Sequence, residues 1–244
     1  MIDNDKVILV ENLTKKYGNF TAVNSISFDV RQGEIFGFLG ANGAGKTTAM
    51  KMLCGLINPT SGKARIAGFD VYKQSEDIKK NIGYMSQKFS LYEDMTIIEN
   101  INFYAGIYGL NKKEISIRTN EMLEKLKMTD IKNELLSSLP LGWKQKLAFS
   151  TAVIHRPKIV FLDEPTGGVD PITRRGFWEL IYEYAHSGST IFVTTHYMDE
   201  AEYCNRISMM TEGKIAALGT PSELKTKYNS TDMNDVFIKI AEGK

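Results

Sequence analysis

The chain reads as an α/β domain, and three observations predict that class. Glu34-Ile35-Phe36-Gly37-Phe38-Leu39 is an apolar run of strand length; it leads straight into Gly40-Ala41-Asn42-Gly43-Ala44-Gly45-Lys46-Thr47 and then a helical stretch from Thr48 to Leu53. Ile159-Val160-Phe161-Leu162 is a second bare apolar run and ends in Asp163-Glu164. Between them, the interval from Gln87 to Leu139 carries apolar residues at helical spacing. Strand, glycine loop and helix form the setting in which G-x-x-x-x-G-K-[ST] cradles phosphate. The glycines let backbone N–H groups turn inward, Lys46 supplies charge for the outer phosphates, and the Thr47 hydroxyl can ligate Mg²⁺. The N-terminus of the following helix faces the anion.

Size and charge narrow the function classes. At 244 residues the chain suits one domain, or one domain with an inserted subdomain. A net charge of +1 argues against an extended face for DNA or RNA. Lys79-Lys80 and Lys112-Lys113 read as solvated helix faces. Cys54 falls in the apolar helix after the loop and reads as a reduced core residue. No apolar run approaches the roughly 20 residues needed to span a bilayer. The start, Met1 to Lys6, lacks the features of a signal peptide. The expectation is a cytosolic chain that serves a membrane only through a partner.

In chain order, Val7–Glu11 reads as a strand, and Ser25–Val30 alternates with the period of a half-exposed one. Lys15-Lys16-Tyr17-Gly18 reads as a polar turn between them, where Tyr17 either packs or binds. Asn58–Gly62 is a turn, and Lys63–Ala67 and Asn81–Ser86 supply further strands. Gln87, at the end of the second, is a plain loop residue or a group that reaches a metal or the nucleophilic water. From about Phe89 the pattern is helical: Thr96-Ile97-Ile98-Glu99 is a capping box, and a second amphipathic stretch runs over Ile115–Lys127. Leu139–Lys146 leads into a helix that His155, Arg156 and Pro157 close. In Asp163-Glu164, the aspartate would hold Mg²⁺ and the glutamate would orient or deprotonate the attacking water. Asp170-Pro171 opens a helix to His186. His155 and His186 read as structural cations near helix C-termini. His196 follows the strand Thr190–Thr195 at its carboxyl end, where open α/β sheets bind ligands. Ile207–Met210 and Lys214–Ala217 read as a hairpin, Pro221 opens a short helix, and the tail from Tyr228 gives no signal.

The ordered set of phosphate loop, Gln87, Leu139–Lys146, Asp163-Glu164, Asp170 and His196 closely resembles the ATP-binding subunits of ABC transporters. Phe89–Thr96 and Thr195–Glu202 look like the multidrug and daunorubicin-resistance branch of exporters. The resemblance implies a P-loop NTPase (RecA-like) core with an N-terminal antiparallel β subdomain and an inserted α-helical subdomain. Residues 1–88 and 158–220 would form the core, 89–157 the helical part and 221–244 a C-terminal segment. ATP and Mg²⁺ are the implied ligands, with ATP held by Gly40 through Thr48 and by Asp163. Tyr17 would stack on adenine, Gln87 would sense Mg²⁺ and the membrane partner, and His196 would contact the γ-phosphate. Thr47, Gln87 and Asp163 would surround the metal, and Glu164 would activate water.

The implied partners are a transmembrane permease subunit and a second nucleotide-binding domain, in a homodimer, a heterodimer or a tandem chain, on the cytoplasmic face of a membrane. Asp170 matches a loop that crosses the dimer interface. Leu139, Pro140, Leu141, Gly142 and Gln145 match the signature donated to the other domain's ATP. That signature is usually Leu-Ser-Gly-Gly. Pro140 brings neither hydroxyl nor N–H, so hydrogen bonds worth about 1.5–3 kcal/mol each are missing from the donor. Two other readings stand beside the transporter: a soluble ABC-type ATPase acting on DNA or the ribosome, and a regulatory half that binds ATP with weak hydrolysis.

Overall fold

The computed structural model describes residues 5–87 and 91–242. Phe89 and Ser90, the first two residues of the expected exporter-branch stretch, lie outside the described residues, as do Met1–Asn4. Two sheets make the frame. One is antiparallel, ordered β2-β1-β4-β5: β1 (Lys6–Tyr17), β2 (Phe20–Arg31), β4 (Ser61–Ile66) and β5 (Phe69–Asp70). The other is ordered β10-β9-β3-β8-β7-β6: β3 (Ile35–Leu39), β6 (Ile82–Met85), β7 (Ile159–Asp163), β8 (Thr190–Thr195), β9 (Arg206–Thr211) and β10 (Lys214–Gly219). Strands β9, β3, β8, β7 and β6 run parallel, and β10 returns antiparallel.

Every residue of β3, β7 and β8 is buried, as strands in a sheet covered on both faces should be. On one face Phe36, Phe38, Phe161 and Phe192 meet Phe28 of β2 and the helix α1 (Lys46–Leu53), with neighbouring ring centroids 5.3–6.1 Å apart. On the other, Val160, Leu162, Ile191 and Val193 share a core with Leu147, Phe149, Phe177 and Trp178. Those four come from α5 (Leu141–Ala152) and α6 (Pro171–His186). The helices α3 (Ile97–Ile107) and α4 (Lys112–Leu126) extend that core. The α3 capping box is present: Thr96 accepts from Glu99 N–H, and the Glu99 carboxylate accepts from Thr96 N–H at 2.8 Å.

Several local expectations change. Lys15, Lys16 and Tyr17 belong to β1, which runs to a tight turn at Gly18-Asn19, with Tyr17 paired to Phe20. Their charges disguise the strand because this end of the sheet faces water. Two helices go beyond the sequence reading. One is α2 (Ser75–Asn81), which buries only Ile78 and so has no period. The other is α8 (Met233–Ala241), in the tail for which the sequence reading names no element, where Met233, Val236, Phe237 and Ile240 do fall at helical spacing and pack on the core. The short α7 (Pro221–Lys227) starts on Pro221 as expected. His155 is not a helix-capping cation. Its ring stacks on Tyr108 at 3.8 Å, its Nε2 lies 3.1 Å from Ile82 O, and burial pushes the imidazole down to about 4, so it is neutral. His186, in the last turn of α6, holds Tyr182 O at 2.7 Å through Nδ1.

Candidate active site

Parallel register brings four strand ends into one row. Leu39 pairs with Thr195, Asp163 with Thr194 and Met85 with Leu162, so the segments after β3, β6, β7 and β8 open at the same edge. These segments carry Gly40, Gln87, Glu164 and His196.

The loop after β3 needs its glycines. Gly43 and Gly45 have φ of 82° and 102°, a region that side chains rarely adopt. A Cβ on Gly45 would collide with the carbonyl oxygen of Ala22. Lys46 is buried; its Nζ donates to Gly40 O at 2.7 Å and Ala41 O at 3.1 Å, which curls the loop over the ammonium. Ala44 N–H donates to Ala41 O at 3.1 Å and closes the turn. Asn42, Gly43, Gly45, Lys46, Thr47 and Thr48 line a cavity of about 390 Å³ with Gln87, Glu164, Phe20 and Ala22. A larger groove of about 610 Å³ runs between Cys54, Tyr84, Tyr104 and Tyr108. It offers no backbone cradle for phosphate, so the smaller cavity is the nucleotide candidate. Tyr17 does not line that cavity. It stands half exposed at the end of β1 with Lys15 Nζ 5.0 Å above its ring, whereas Phe20, its strand partner, does line it. Phe20 was missed in the sequence; an exposed aromatic across a two-residue turn from Tyr17 was the available signal.

At the end of β7 the two acids separate in role. Asp163 is buried, and its Oδ1 accepts from Thr194 Oγ1 at 2.6 Å and Thr47 Oγ1 at 3.2 Å. Burial raises its carboxyl above the ordinary aspartate value, against the pull of those two hydroxyls. Glu164 sits at φ 48°, a strained conformation for this residue, fixed because its N–H donates to both Thr194 O (3.1 Å) and Thr194 Oγ1 (3.0 Å). Its side chain is the meeting point of the cluster. Oε1 lies 3.3 Å from Lys46 Nζ, and Oε2 accepts from Gln87 Nε2 at 3.0 Å and faces His196 Nδ1 at 3.1 Å. Gln87, expected near a metal or water, therefore turns its amide toward Glu164. Thr194 went unnoticed in the sequence because a threonine inside a buried strand gives no local signal.

The signature stretch splits between inside and outside. Leu139 is core, and Gln145 turns into its own chain, donating to Gly167 O at 3.2 Å. Pro140 is the N-cap of α5 and supplies no side-chain cap bond; Leu141 and the unanticipated Trp143 are exposed beside it. A Cβ on Gly142 would collide with the methyl of Thr173. Asp170 is the N-cap of α6: Oδ1 accepts from Ile172 and Thr173 N–H, each at 3.0 Å, and Oδ2 from Thr173 Oγ1 at 2.5 Å. The Thr173 hydroxyl and these N–H groups hold the Asp170 carboxyl below its ordinary value.

Known proteins resemble this chain in sequence and in fold. A family model described as ABC transporter matches residues 23–167. The chain is 46% identical over 231 residues to the probable multidrug ABC transporter ATP-binding protein YbhF of Escherichia coli, covering 95% of this chain and 40% of that one. It is 36% identical over 219 residues to the linearmycin resistance ATP-binding protein LnrL of Bacillus subtilis, covering 89% of this chain and 70% of the relative. A solved structure described as the ATP binding subunit of an ABC transporter superposes with a TM-score of 0.86 at 25% identity, covering 96% of this chain and 99% of that one. With a P-loop NTPase fold, an antiparallel sheet beside a largely parallel one, and matches over most of its length, the chain belongs to the ABC transporter family as an ATP-binding ATPase domain.

Proposed function

We infer that this chain powers a membrane exporter of drugs or other hydrophobic compounds by hydrolysing ATP. The observation that carries this reading is the convergence of Lys46, Gln87 and His196 on one carboxylate, Glu164, at the mouth of the glycine cradle. The backbone N–H groups of Gly40–Thr48 hold the phosphates, and Lys46 neutralises them. An arriving phosphate competes with Glu164 for Lys46; once the ammonium turns to the phosphate, the carboxylate is free to accept a proton from the attacking water. Gln87 and His196 hold that carboxylate from the other oxygen. With Nδ1–H donated to Glu164, His196 presents a second N–H to a γ-phosphate oxygen only as the imidazolium. Phe20, with Tyr17 beside it, offers the apolar surface for the base.

Thr47 and Asp163 fit Mg²⁺. Their oxygens lie 3.2 Å apart beside the cradle, and among the described residues no cluster of three or more His, Cys, Asp or Glu forms an all-protein cage. That is the donor set of an ion that takes its other ligands from phosphate and water, with Gln87 as a further candidate. When bound, the ion would neutralise charge on the terminal phosphates.

Family membership supports two partners. A second nucleotide-binding domain would face Pro140–Gly142 and Asp170, and a transmembrane permease subunit would complete the exporter at the cytoplasmic face of the membrane. No helix among the described residues is long and apolar enough to cross a membrane. The chain spans 40% of the length of YbhF, so a tandem arrangement belongs among the candidates. Near-neutral charge speaks against nucleic acid as partner. The test is Glu164→Gln in the complex purified from its native membrane: ATP binding persists and turnover falls by more than about 100-fold. Normal turnover by that variant, or recovery of the chain with no membrane protein, overturns the reading.

One observation favours a second reading, a regulatory half with weak hydrolysis: the start of α5 has an uncapped Pro140 and a protruding Leu141 where a hydroxyl and a close backbone approach are expected. Pro140→Ser with Leu141→Gly separates the two. A gain in ATP-driven dimerisation and turnover supports a weakened donor; no gain removes the regulatory reading.

A further inference from the structure

Glu200 is a fully buried carboxylate outside the lining of the nucleotide cavity. It lies in a short 3₁₀ helix, Met198–Tyr203, four residues beyond His196. Its Oε1 accepts from Thr166 Oγ1 at 2.5 Å and from Trp178 Nε1 at 3.2 Å, with Arg174 Nε at 3.7 Å. Its Oε2 has no hydrogen-bond partner among the described residues. The Arg174 guanidinium also stacks 3.9 Å over the Tyr197 ring and reaches Asp199 at 3.4 Å. A buried carboxylate with one oxygen unpartnered is costly, so the bonds it does make are held firmly.

The three segments that meet on this carboxylate are those that shape the site. Thr166 is two residues after Glu164 in the same turn, where Gly167 N–H donates back to Glu164 O at 3.1 Å. Thr166 is itself buried. Tyr197 adjoins His196, and Arg174 and Trp178 belong to α6, whose N-terminus is capped by Asp170. A plain structural ion pair would explain Arg174. It does not explain why the shortest contact runs to the turn that bears the strained Glu164.

We propose that Glu200 is a positioning residue for ATP hydrolysis: through the Thr166 hydroxyl it ties the turn carrying Glu164 to the segment carrying His196, and so sets the distance between their side chains. The proposal rests on Glu164 being the group that activates water. Glu200 touches neither nucleotide nor water; it acts by limiting how far two loops can separate when Lys46 is drawn away from Glu164. Misplacing a catalytic group by about 1 Å costs on the order of 100-fold, so partial loosening should cost about tenfold.

The test uses the membrane-purified complex. Thr166→Val removes the hydroxyl and keeps the shape; kcat is expected to fall about tenfold while KM for ATP stays within about twofold, and Thr166→Ser is expected to restore kcat to within about twofold of the parent. In a Glu164→Gln background, Thr166→Val should add no further loss, because the residue it positions is already gone. Should the valine variant not fold, Thr166→Ala removes the same hydroxyl and carries the same expectation. An unchanged kcat, a loss seen in KM, a serine variant as impaired as valine, or additivity with Glu164→Gln each overturns the proposal. Glu164→Gln alone keeps the two ideas apart. Normal turnover in that single variant sinks the assignment of Glu164, whereas an inactive Glu164→Gln beside a fully active Thr166→Val sinks only the tie through Glu200.

Discussion

His155 predicts a pH-dependent stability that can be worked from its surroundings. The ring is pressed against Tyr108, its Nε2 donates to Ile82 O, and its Nδ1 is buried with no hydrogen-bond partner. Protonation would put a charge and a second N–H at Nδ1 with nothing to accept it, near Arg118. Burial, opposed by the bond to Ile82 and reinforced by Arg118, takes the imidazole from its ordinary 6.5 to about 4. The folded form therefore resists a proton that the unfolded chain takes up readily. Stability from this group is fully present above about pH 6.5 and is lost as pH falls toward about 4. At about 1.4 kcal/mol per pH unit, a fully dry ring would cost about 2 kcal/mol on going from pH 7 to pH 5. The ring is partly exposed, and solvent screening reduces this to about 1 kcal/mol. Urea denaturation at both pH values, on the parent chain and on His155→Gln, measures it. The parent should lose about 1 kcal/mol more than the variant, which keeps an amide donor for Ile82 but cannot titrate. Equal losses in the two proteins would refute the reasoning.

Two further outcomes follow from the site. Gly45→Ala meets both a positive φ and the Ala22 carbonyl; we expect a stability loss of about 2–3 kcal/mol together with loss of nucleotide binding, seen by denaturation and nucleotide titration. A stable variant that binds nucleotide would show that the loop can relax. Asp163 must be ionised to hold Mg²⁺, and its raised pKa makes the Mg²⁺-dependent part of nucleotide affinity decline as pH falls, starting above the range where an ordinary aspartate titrates. Titrations with and without Mg²⁺ between about pH 7 and about pH 5 check this, and a decline confined to the ordinary range would contradict it.

What the sequence disclosed, it disclosed through local rules. The phosphate loop, the acidic end of β7, the capping box at Thr96 and the Asp170-Pro171 start of α6 each obey a short-range grammar of caps, turns and apolar runs. The features it hid depend on distant partners. Strand β1 continues through Lys15-Lys16 because β2 pairs with it as far as Tyr17, which no propensity reveals. Helix α2 buries one residue, so it has no period to detect. Thr194 and Thr166 are plain strand and turn residues until Asp163 and Glu200 arrive beside them from 31 and 34 positions away. His155 looked like a helix-end cation because its stacking partner, Tyr108, lies in another helix hairpin.

The collision awaiting any side chain at Gly142 has a consequence for how this surface can be altered. Thr173 fills the space above Gly142 and is itself bolted to the Asp170 carboxylate, so the tips of α5 and α6 form one mechanical block. Pro140 and Leu141 project from that block without holding it together. Positions 140 and 141 can therefore be retuned independently of the fold, as interchangeable teeth on a fixed gear, whereas changing 142 shifts the gear itself.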